Sequence, residues 1–166
     1  MNTPADLARG WLRKAASDLA GGRRITGGRG AYDTACFHAQ QAAEKSLKAV
    51  LAYYGAPIAH THNLGRLAEE ARVVAPALAL DIPALDDLTP YAVELRYDTE
   101  FWPDHRTAVS ALAHAARVHA AVLAVLPRPA RPAKARPRRA VRCAGRRRRA
   151  TRRRAAAKLA KKGKNR

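Results

Sequence analysis

The sequence predicts an all-α fold: an up-and-down bundle of four to five helices, followed by a basic C-terminal tail that is disordered or loosely helical. Three observations predict it. Between Thr3 and Leu126 the apolar residues recur at three- and four-residue steps, and no strand-like alternation of any length interrupts them. Glycine, proline and capping residues fall between the periodic stretches, where helices should start and stop. Charge is also segregated: 19 of the 32 basic residues and none of the 13 acids lie from Pro127 onward, so the first 126 residues are formally neutral. Two domains follow from this, a helical bundle over 1–126 and an Arg/Lys/Pro/Ala-rich tail over 127–166.

The first helix starts at Thr3, Pro4 and Asp6, which supply a hydroxyl cap, a proline at the first helical position and an acid in the first turn. Leu7, Trp11, Ala15 and Leu19 carry its apolar face, and Gly21-Gly22 are expected to end it. From Gly21 to Gly30 the run GGRRITGGRG holds five of the ten glycines. It reads as a flexible connector, with a phosphate-cradling loop as the alternative; the Walker spacing and a preceding strand are missing.

The second helix, Cys36 to Tyr54, is expected to be central. Cys36, Ala39, Ala43, Leu47, Val50 and Tyr54 share one side at about 100° per residue. Its alanines allow close approach on more than one side. His38, Gln41, Lys45 and Ala52 lie opposite the seam. Gln40, Glu44 and Lys48 form a flank expected to be solvated, with Glu44–Lys48 as a surface pair.

Gly55 and Pro57 stop that helix, and Thr61-His62-Asn63 leads into a third carrying Leu64, Leu67, Ala68, Ala71 and Val74. His60 and His62 lack a third metal ligand nearby and read as loop residues, so no metal site is expected. Asp81 and Pro83 open a fourth segment that Pro90 should kink or break. Arg96, Tyr97, Phe101, Trp102 and His105 then crowd into ten residues before Asp104 caps a last helix of about 22 residues ending near Leu126.

Trp11-Leu12, Ala15, Asp18-Leu19, the block CFHAQQAAEKSLKAVL, then HNL and a leucine helix closing on Arg96-Tyr97 together resemble the HEPN domain, over most of residues 5–126. The resemblance implies a helical bundle, often a homodimer, and a nucleotide- or RNA-associated binding module partnered by a minimal nucleotidyltransferase in toxin–antitoxin type systems. Ribonuclease members of the family carry an Arg, four to six residues, then a His, and cleave RNA without metal. Histidine would move the 2′-hydroxyl proton while arginine stabilises charge on phosphorus.

Arg96 and His105 match that site in place and residue type, but eight residues separate them. They are the candidate catalytic pair of the alternative, a metal-independent endoribonuclease toxin. Gln40, Glu44, Lys48 and Tyr97 are the candidate nucleotide- or partner-binding residues. No cofactor is expected.

The tail has almost no large apolar residue, and Arg146, Arg147, Arg148, Arg149, Arg152, Arg153 and Arg154 are its densest charge. It should attach to nucleic acid without sequence preference; with roughly half its basic groups on phosphates, log K against log salt would slope near −9. A functionless extension is the other reading. Two cysteines make no disulfide framework, no signal-peptide pattern opens the chain, and the longest aliphatic run, Ala120 to Leu126, is too short to span a bilayer. A cytoplasmic protein with no membrane partner is expected.

Overall fold

A computed structural model describes residues 3–28 and 30–132, except the side chains of Leu95 and Arg96. Every regular element among the described residues is helical. The long ones are α1 (Pro4–Thr26), α2 (Tyr32–Tyr54), α3 (Leu64–Val74) and α6 (His105–Val125). Between α3 and α6 lie two short ones, α4 (Ile82–Asp86) and α5 (Glu94–Tyr97), separated by a 3-10 turn at Thr89–Ala92. The break at Pro90 is therefore real.

The caps at Thr3 and Asp104 are those the sequence proposes, and Asn63, the last residue of the lead-in to α3, supplies another. Thr3 and Asp6 form a reciprocal capping box on α1, Asn63 accepts from the Arg66 amide at 2.8 Å, and Asp104 accepts from the Thr107 amide at 2.7 Å. Gly55 closes α2 at φ 68°, the left-handed conformation that glycine adopts without a Cβ clash.

One boundary differs. Helix α1 runs through Gly21-Gly22 to Thr26, because glycine serves packing there rather than termination. A Cβ on Gly22 would sit 2.5 Å from Leu112 Cδ2, so any larger residue there would force the Leu112 side chain to shift. Arg23 and Arg24 thus lie on a helix, which leaves neither the long connector nor the phosphate loop that the glycine content suggested.

Helix α2 packs on α1, α3, α6, α5 and the 3-10 turn, which makes it the hub. Ala35, Ala39, Ala42, Ala43 and Ala49 are fully buried and let these neighbours approach, while Leu12, Leu47, Leu51, Leu64, Leu67, Leu85, Leu88 and Val122 fill the space between them. Truncating one of these leucines to alanine should cost about 2–5 kcal/mol. Helix α6 is long and apolar enough to cross a bilayer by length and composition, and here it packs on α2 and α1.

The compact unit extends past Leu126 to Pro132. A 3-10 turn at Arg128–Ala130 packs on α1 with Ala130 fully buried. Arg131 donates to the Leu126 and Ala124 carbonyls at 2.6 and 3.2 Å, supplying donors and positive charge to the C-terminus of α6. The seven arginines named for nucleic-acid attachment, Arg146 to Arg154, lie outside the described residues.

Candidate functional site

His105 is the first residue of α6, fixed there by the Asp104 cap. The main-chain bond from Thr107 is the leading cause that holds the Asp104 carboxyl below its ordinary range. The exposed His105 ring turns back on the junction of α1 and α2. Its Nε2 lies 3.1 Å from the Thr26 carbonyl, to which it donates, and its edge meets the Tyr32 ring at a centroid distance of 5.3 Å and 72°. The extension of α1 to Thr26 is what brings that carbonyl within reach.

The segment leading to His105 is built by local bonds. Asp98 ends α5 through its amide on the Glu94 carbonyl at 2.8 Å, and its carboxylate accepts from the Glu100 amide at 2.9 Å. Trp102 Nε1 donates to the Thr99 carbonyl at 2.9 Å, leaving the indole 73% exposed. Phe101 turns inward and stacks on Tyr91 at 6.1 Å. Tyr97 is 74% exposed. Arg96 has its backbone in α5, and its side chain, with any pairing to His105, lies outside the described residues.

Gln40, Glu44 and Lys48 come together, but not in solvent. They are 0%, 5% and 9% exposed, which corrects the expectation of a solvated flank and of a surface Glu44–Lys48 pair. The reason is the loop before α3, which folds His62 over them. Glu44 accepts from Gln40 at 3.0 Å, from Lys48 at 2.8 Å and from His62 Nδ1 at 3.0 Å. Gln40 also donates to the His62 carbonyl at 3.4 Å and accepts from Gln41 at 2.8 Å.

Burial by itself raises the Glu44 pKa. The bonds from Lys48, His62 and Gln40 outweigh it, so the carboxyl sits below its ordinary value and stays ionised. The donors of this quartet are directed at one another. Tyr97, named with these three from the sequence, sits on α5.

A second polar cluster escaped the sequence reading. Asp18 of α1 accepts from His38 Nδ1 at 3.1 Å and from Lys45 Nζ at 2.6 Å, both on α2. Its only sequence signal is that His38 and Lys45 are seven residues apart, hence on one face. On a third face Ser46 bonds the Ala42 carbonyl at 2.7 Å and meets His119 Nδ1 at 3.0 Å. Burial, then the charge of Arg23, lowers the His119 pKa and keeps that imidazole neutral.

Cys36 is buried, and burial followed by the charges of Asp33 and Asp104 pushes its thiol up to about 11, so it is no nucleophile. Among the described residues no group of three or more His, Cys, Asp or Glu side chains is arranged to hold a metal ion.

Comparison with curated proteins gave no match. Among solved structures, the crystal structure of TT1696 from Thermus thermophilus is similar, at 28% identity and a TM-score of 0.63, over 76% of this chain and all of that one. The sequence profile of the HEPN domain matches residues 8–125, from the second turn of α1 to the last residue of α6. The chain belongs to the HEPN domain family.

Proposed function

We propose that this HEPN domain is a nucleotide- or RNA-associated binding module, acting as a homodimer beside a minimal nucleotidyltransferase in a toxin–antitoxin type pair. The observation that carries the reading is the anchoring of His105. Its Nε2 proton is given to the Thr26 carbonyl, so only Nδ1 remains for proton transfer, and the ring is packed on Tyr32. Such an imidazole is better suited to form part of a surface than to shuttle a proton in both directions. On the same segment Tyr97 and Trp102 expose aromatic faces of the kind on which unpaired bases stack. The basic tail would add affinity for phosphates without sequence preference.

The competing reading, a metal-independent endoribonuclease using Arg96 and His105, draws on the position of His105 at the start of α6. Incubating single-stranded RNA in EDTA with the wild type and His105→Ala separates the two. Binding without cleavage by either is expected; cleavage by the wild type that disappears in His105→Ala overturns the module reading. Trp102→Ala should weaken RNA binding about tenfold, the scale of one base-stacking contact.

A further inference from the structure

A cavity of about 380 Å³ opens between α6 and the start of α4, lined on one side by His114, Arg117 and Val118 and on the other by Leu80, Asp81 and Leu85. That volume is in the range of small-molecule sites. His114, Arg117 and Val118 stand at i, i+3 and i+4, so one stripe of α6 supplies two nitrogen groups and an apolar wall.

His114 forms no hydrogen bond among the described residues. Its Nδ1 is buried without a partner. With Nδ1 shut away from solvent, Nε2 is the ring nitrogen left to meet a ligand. Facing it, Asp81 caps α4 through one oxygen, which accepts from the Ala84 amide at 3.3 Å. The Asp81 carboxylate and the Arg117 guanidinium line the same space, yet among the described residues neither takes part in an ion pair.

We infer that this cavity binds a free apolar α-amino acid, a site separate from the His105 segment and beyond the nucleic-acid reading. Arg117 and His114 donate to the α-carboxylate, the free oxygen of Asp81 accepts from the α-ammonium, and Leu80, Leu85 and Val118 receive the side chain. The Arg117 and Asp81 charges and His114 Nε2 then each have a partner of opposite charge or complementary hydrogen bonding. A nucleotide fits less well, because one arginine faces several phosphate charges with an aspartate opposite.

The test is calorimetry on the full chain with L-leucine, L-valine and L-phenylalanine, and with N-acetyl-L-leucine, L-leucinamide and AMP. At least one free amino acid should bind saturably, and L-leucine at least tenfold tighter than its two blocked forms. Arg117→Gln should weaken L-leucine at least tenfold and leave L-leucinamide unchanged. Asp81→Asn, which keeps the α4 cap, should weaken L-leucine as much and leave N-acetyl-L-leucine unchanged. Both positions are exposed, and circular dichroism checks each fold; if one variant unfolds, the other decides. Absence of binding by all three amino acids, equal binding of free and blocked leucine, wild-type affinity in the folded variants, or tighter AMP binding lost in Arg117→Gln overturns the assignment.

Discussion

Helix α2 carries two clusters of the same composition on different faces. In each, one carboxylate holds a lysine and a histidine: Glu44 with Lys48 and His62, and Asp18 with Lys45 and His38. They differ in surroundings. The Glu44 and Lys48 side chains are 7% and 11% exposed, against 15% and 20% for Asp18 and Lys45, and only the first cluster includes a buried amide, Gln40. Identical chemistry therefore does different work. The Glu44 quartet ties the loop before α3 to the hub, and removing its carboxylate strands Lys48 and Gln40 away from water. The Asp18 cluster bridges α1 and α2 where water can replace a lost partner.

Substitutions on the two carboxylates should break this comparison most sharply. Glu44→Ala should cost about 3–5 kcal/mol in urea unfolding, because Lys48 keeps a buried charge with no counter-ion. A loss below about 1 kcal/mol would show that the quartet is solvated after all. Asp18→Ala should cost about 1 kcal/mol. If it equals Glu44→Ala, burial is not what separates the clusters. His62→Ala removes a half-exposed donor and should cost about 0.5–1 kcal/mol, with faster amide exchange in residues 56–63 as its local signature.

Acid should sharpen the same contrast. Glu44 has a folded pKa below its ordinary 4.5, so its contribution is full above that value and is lost as pH falls through the lowered one. His119, held neutral by burial and by Arg23, has a folded pKa below 6.5; the unfolded chain takes up the proton first, and stability declines as pH falls below 6.5. Thermal melts should show two descents, the upper absent in His119→Asn and the lower made shallower in Glu44→Gln, where the lowered carboxyls of Asp6 and Asp104 remain. A single descent unaffected by either substitution would contradict both assignments.

By itself the sequence determined the helical class, the four long helices, the caps at Thr3 and Asp104 and the break at Pro90, because periodicity, capping and proline geometry act within a few residues. The resemblance carried by the central block named the family that the profile match shows. Only the tertiary structure decided what the glycines and polar residues do. Gly22 reads as a stop until Leu112, ninety residues on, is seen to need its space. Gln40, Glu44 and Lys48 read as a wet flank until His62 closes over them, and nothing in the sequence beside His105 announces the Thr26 carbonyl and the Tyr32 ring that meet it. Burial and long-range pairing belong to the packed chain, and helical spacing records the face a residue occupies but not what comes to lie against it.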